Sequence, residues 1–433
     1  NTLTSHGDVV IKNASIIDNL EVAAAKITAT ENIGTITDGI LISDGATTVS
    51  AQSILGTAFD AATADLTAAN SIEGIDVRVD TNAKLNSASI LDSDVIVSDA
   101  DGSIEVKATA IDGGSLRADK VSFDEFATDA DIQVGAASAV RVLGAENITV
   151  DNGGLVNIVS ENDQDTTFTV AASDDVFLTQ GNGNMLVDIT ADGQVVTLTA
   201  AADIDGAVAG VDITAKNLII TTAENVTVDT EIEQIKANVA YDLDLNEVDD
   251  LAVDLISAGR KAKIDAGGDI LDSADDRIID IVTPELALNA GGSIGTLTNA
   301  LDISTQKLTA DADALINLLN VSAQNVTVKK LIAGTSVYFA AEGSGEHRFT
   351  GDVIGADGDV KIDSAAGDLV FANFSTLEAK VDADITAYGD ITTEGIVFLK
   401  ATDGDPDTTN SDLNIVSKHG SVTFSSGTMA QAD

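Results

Sequence analysis

The residues best placed to do chemistry in this chain are carboxylates. The run Asp403-Gly-Asp-Pro-Asp407-Thr-Thr-Asn-Ser-Asp412 alternates acids along a loop. Asp403, Asp405, Asp407 and Asp412 are hard oxygen donors of the kind Ca2+ takes, which makes them a candidate calcium site. The run is not an EF-hand, because Thr408 stands where that loop needs Gly and Asn414 where it needs Glu. The calcium-binding nonapeptide repeat is absent too, and Gly181-Asn-Gly183 only brushes it. The plainer reading is a solvated acidic loop. Asp129/Asp131 and Glu247/Asp249/Asp250 read the same way, as solvated faces.

Paired carboxylates could also serve a glycosidase. Among 71 acidic residues, however, neighbouring carboxylates arise by chance. The chain has three His, at positions 6, 347 and 419. No nucleophile elbow, P-loop, zinc-binding His pair or dinucleotide fingerprint occurs. Catalysis is therefore not expected, and a carbohydrate-active enzyme is the minor alternative.

Asn147, Asn225 and Asn325 recur in one phrase, and their bland role is a corner amide bonding the next coil. The N-x-S/T sequons at Asn13, Asn147, Asn225, Asn320, Asn325 and Asn373 are what a Thr/Ser-rich repeat produces by chance. Gly343-Ser-Gly-Glu-His-Arg348 interrupts the pattern and is expected to protrude, as is the loop over 403–412.

The elements that must position these residues are short alternating segments. Val9–Lys12, Ile75–Val79, Ile104–Lys107, Val195–Thr199, Val211–Thr214, Val226–Asp229, Val326–Lys329 and Ile385–Ala387 each alternate aliphatic with small or polar residues. That is the pattern of half-buried strands. The span 230–256 could be read as a helix, but Asp242–Leu245 and Leu251–Leu255 fit strands better. Phrases also return. Glu146-Asn-Ile-Thr-Val-Asp151 recurs as Glu224-Asn-Val-Thr-Val-Asp229 and Gln324-Asn-Val-Thr-Val-Lys329, at offsets of 78 and 100. Ile33–Ser43 matches Ile294–Ser304 at an offset of 261. All three are near multiples of about 20 residues, a solenoid period. The phrase Gly-(Asp/Ser)-(Ile/Val/Leu) occurs at ten places, among them Gly268, Gly292, Gly358, Gly389 and Gly420. Glycine there suits a corner of positive φ. The expected fold is all-β, a parallel β-helix (β-solenoid) with coils of about 20 residues, running as one continuous solenoid over 1–433.

Composition agrees. The 433 residues hold 44% hydrophobic but only 3% aromatic side chains, as a narrow aliphatic lumen requires. Asp outnumbers Glu by 55 to 16, favouring turns over helices. No Cys is present, so neither disulfides nor Cys-ligated metal enter. The net charge of -49 repels phosphate and argues against a nucleic-acid partner. No apolar run is long enough for a membrane-spanning helix.

Ile264-Asp-Ala-Gly-Gly-Asp-Ile270, Leu286-Ala-Leu-Asn-Ala-Gly-Gly-Ser-Ile-Gly-Thr296 and Leu413-Asn-Ile-Val-Ser-Lys-His-Gly-Ser-Val422 resemble the repeats of filamentous-haemagglutinin-like exoproteins. Those are large bacterial adhesins, often exported by two-partner secretion. The resemblance implies a right-handed coil, export across an outer membrane and a place at the cell surface. The chain would be a piece of the repetitive shaft of a longer protein, without its secretion domain. The expected function is a non-catalytic extracellular shaft, structural or adhesive. Its partners would be a host or neighbouring-cell surface or matrix. The alternative is a subunit that stacks end to end into a filament.

Overall fold

The computed structural model describes residues 2–98, 103–107, 110–118, 120–124, 131–134, 140–142, 147–153, 156–160, 165–274, 276–402 and 411–432; within 99–155, side chains are described only at 104–106. The chain divides into two compact units, Asn1–Lys216 and Asn217–Asp433. The described elements are strands, and each pairs in parallel with strands about 20 residues away. The fold is a β-solenoid.

In the first unit the lumen is built from columns of aliphatic side chains. Ile36 pairs with Ile54, Ile54 with Ile72, and Ile72 with Ile90, a repeat of 18 residues. Val49, Leu66, Leu85 and Val106 form a second column. All eight are buried. Such columns follow from parallel in-register stacking, which sets like residues one strand spacing apart. One corner of this unit is left-handed in five successive coils, at Asn19, Asp38, Gly56, Gly74 and Asp92, with φ between 43° and 59°. Gly, Asn and Asp are the residues that enter that region at least cost.

The second unit repeats the scheme. Val226, Leu243, Ala262, Leu286, Leu308 and Val328 form one buried column through six coils. Coil length varies more here, from 17 residues between Val226 and Leu243 to 24 between Ala262 and Leu286. Between Ala383 and Leu413 it reaches 30, and the added residues include 403–410. Aromatic side chains do enter this lumen. Phe349 meets Phe339 edge-on at 5.9 Å and stacks on Phe371 at 5.1 Å.

The segment 230–256 is strand: Val226–Val239, Asp242–Glu247 and Leu251–Ala258. Val226–Val239 is far longer than its alternating start. Buried and exposed residues alternate, slip by one at Gln234, and alternate again. Its register with Leu251–Ala258 shifts at the next step, between Ile235 and Lys236. The chain therefore turns a corner through an irregularity rather than a turn, and no Gly or Pro marks the place.

Candidate functional site

The phrase Gly-Asp/Ser builds a ladder at the coil corners. Asp368 Oδ1 accepts the Asp390 N–H at 2.7 Å, and Asp390 Oδ1 accepts the Ser421 N–H at 2.7 Å. Gly389 and Gly420 precede the two donors. A Cβ on Gly389 would overlap Asp368 Oδ1, and one on Gly420 would collide with Asp390 Oδ1. The same arrangement joins Asp250 to Asp269 and Asp269 to Ser293, with Gly268 and Gly292 making the room. It also joins Ser336 to Asp359, beside Gly358. None of these glycines has positive φ. The expectation of a positive-φ corner is therefore corrected: glycine is needed because an oxygen of the preceding coil occupies the Cβ position, a carboxylate at Gly268, Gly292, Gly389 and Gly420 and the Ser336 hydroxyl at Gly358. Positive φ occurs elsewhere, in the corner column of the first unit and at scattered sites such as Gly295 and Gly395.

Asparagine plays the acceptor's part too. Asn225 Oδ1 accepts the Asp242 N–H at 3.3 Å, and Asn325 Oδ1 accepts that of Glu346 at 3.0 Å. In the first unit Asp165 and Asn184 do the same for Asn184 and Asp203. The Asn147 side chain lies outside the described residues.

Asp412 belongs to such a ladder. The Asp382 N–H donates to Asp359 Oδ1 at 3.3 Å, and the Asp412 N–H to Asp382 Oδ1 at 2.9 Å. Its carbonyl accepts the Ala383 N–H at 2.9 Å. Asp403, Asp405 and Asp407, the rest of the calcium candidate, lie outside the described residues, as does Asp129. Among the described residues, no group of three or more His, Asp and Glu is placed to hold a metal ion.

Sequence reasoning missed the buried carboxyls. Glu247 is 5% exposed, so the reading of Glu247/Asp249/Asp250 as a solvated face is corrected at its first member. In Asp242–Glu247 it shares the parity of Leu243 and Leu245 and so points inward. Burial pushes its carboxyl up to about 7, against hydrogen bonds from the Thr230 hydroxyl and the N–H groups of Ile232, Asp249 and Val248. Asp280 is 3% exposed and Asp302 5%. They are locked together: the Asp302 N–H donates to Asp280 Oδ2 at 2.7 Å, and the Asp280 N–H to the Asp302 carbonyl at 2.8 Å. Burial, reinforced by Asp272 and Asp302, pushes Asp280 up to about 8. Burial and the Asp272 charge push Asp302 to about 6. Perturbed carboxyls often mark acid–base chemistry. These two sit in the wall of the coil, where a bound substrate has little surface to reach.

Open surface features are shallow. A groove of about 420 Å³ runs over Asn317, Tyr338 and Lys361 beside Leu297. The segment 343–348 divides between two settings. Gly343–Gly345 form a bend, and His347 begins the strand His347–Phe349 with its ring wholly buried. No helix among the described residues is long and apolar enough to cross a membrane. Compared with known proteins, the chain matches no family model, no curated protein and no solved structure.

What the arrangement does is bind coil to coil. Besides the ladders, ion pairs bridge neighbouring coils: Lys84 to Glu105 at 2.8 Å, Lys236 to Asp254 at 2.9 Å, Lys307 to Glu285 at 3.5 Å. Each such exposed pair is worth little alone, roughly 0–1 kcal/mol.

Proposed function

We propose that this chain is a non-catalytic shaft, structural or adhesive, of an extracellular bacterial surface fibre of the filamentous-haemagglutinin kind. One observation supports the reading above others. Backbone ladders, corner carboxylates and ion pairs such as Lys84–Glu105 act between successive coils, so this bonding resists separation of coils. In a quasi-one-dimensional array that is the bonding a load-bearing spacer needs. The surrounding acidic surface, with -49 formal charges, keeps neighbouring shafts apart at low salt. The surface or matrix it would reach is that of a host or neighbouring cell.

Electron microscopy of the purified protein tests the reading. Separate, unbranched rods are expected. Long fibres would favour end-to-end assembly into a filament instead. Rounded particles would contradict both. Incubation with acidic and neutral glycans is expected to leave them uncut, and glycan shortening would support the enzyme alternative.

A further inference from the structure

His347 is a basic side chain sealed in the lumen between apolar register partners. It is wholly buried, at the start of His347–Phe349, whose alternation turns His347 and Phe349 inward and Arg348 outward. Its register partners are Val326 on the preceding coil and Leu369 on the next, and both are buried. Ring nitrogen Nε2 lies 3.2 Å from the Gly343 carbonyl oxygen. Nδ1 is buried and has no hydrogen-bond partner. The wall is tight as well, since a Cβ on Gly367 would stand 3.0 Å from Nε2.

This geometry accepts one protonation state. With its proton on Nε2, the neutral ring donates to Gly343 and leaves Nδ1 as a bare lone pair. A second proton would create a buried N–H without an acceptor and a charge among Val326, Leu369 and Phe349. The charged groups on the packed elements give little relief. Asp368 on the next coil is exposed and accepts the Asp390 N–H. Lys329 and Lys330 on the preceding coil pair outside with Glu285 and Asp311. Arg348 and Glu346 on the same stretch pair with each other, and Arg348 also with Glu394.

We propose that His347 is an acid-triggered switch: a proton on Nδ1 releases the coil at His347–Phe349 from its neighbours while distant coils stay paired. Burial holds the ring below its ordinary 6.5, against the Gly343 carbonyl and Asp368. The depressed value fixes the direction. The closed coil is favoured above about pH 6.5, and that advantage is lost as pH falls below it. Release stays local because backbone pairing joins each coil only to the coils beside it. The inference concerns the coil itself and does not depend on the shaft reading.

The test is hydrogen exchange, corrected for intrinsic rate, at about pH 7.5 and about pH 5. Amides of Val326–Ala333, His347–Phe349 and Leu369–Phe371 are expected to lose protection about tenfold or more at the lower pH. Amides of Ala46–Leu55, a strand with no ionisable side chain, should lose far less. His347→Phe, which the lumen already accepts at Phe349 and Phe371, should abolish the selective loss. His347→Gln serves if that variant does not fold. Proton NMR of the wild-type ring should show His347 titrating below its ordinary 6.5. A ring that titrates at or above 6.5, or the same selective loss in the non-titrating variant, would overturn the proposal.

Discussion

At the scale of single residues, the corner glycine and the carboxylate behind it act as a unit. Gly389 leaves open the space that Asp368 Oδ1 fills, and that oxygen bonds the next N–H in the chain. Gly389→Ala is expected to cost roughly 1–3 kcal/mol, the scale of overpacking a tight contact. In an Asp368→Ala background much of that cost should vanish, a coupling of about 0.5–3 kcal/mol. Denaturant midpoints of the four proteins give the cycle, and strictly additive costs would show that the two residues are unrelated. Asp280 makes the opposite kind of prediction. Its carboxyl is raised to about 8, so its protonated form stabilises the fold at lower pH and that contribution is lost as pH rises through about 8. Asp280→Asn keeps an oxygen for the Asp302 N–H without ionising. It should raise the melting temperature at pH about 8.5 and leave it little changed near pH 5, an effect on the order of 1–3 kcal/mol. A variant less stable than wild type at the higher pH would contradict this assignment.

At the scale of elements, alternation fixes which side chains face the lumen. Val226 and Val228 are buried and Thr227 is exposed. Val226→Asp places a charge in the lumen and removes a Val worth roughly 1.5–3 kcal/mol. Thr227→Asp should shift stability by only about 0.5 kcal/mol either way. Limited proteolysis of Val226→Asp should cut near the substitution and leave both flanks as fragments, as local damage in a stacked array predicts. Equal tolerance of the two changes would contradict the register. Alternation is also what made the fold legible. Each stretch first read as strand lies in or overlaps one, since period 2 is visible over four or five residues. Strand ends were not legible, because corners such as the one near Lys236 are made by a register slip among ordinary residues. Of the site, Asn225 and Asn325 were read correctly as corner amides. Glu247 was misread by residue type although its parity with Leu245 pointed inward. The burial of Asp280 and Asp302 depends on stacking between segments 22 residues apart, which no local pattern carries.

At the scale of the whole molecule, two features dominate: charge and one-dimensional bonding. With 71 acidic against 22 basic residues, self-repulsion opposes the folded state at low salt. The Debye length falls from about 30 Å at ~0.01 M to about 3 Å at ~1 M. Melting temperature should therefore rise with NaCl. A further rise with millimolar Ca2+ at matched ionic strength would indicate specific sites; coincident curves would leave screening as the whole effect. The central claim is that stability resides between successive coils, and pulling single molecules by their ends tests it most directly. A coil of about 20 residues extends to roughly 65–70 Å, so the force trace should show many small releases of that length or low multiples of it. One or two all-or-none events, each freeing on the order of 200 residues and roughly 700 Å, would contradict it.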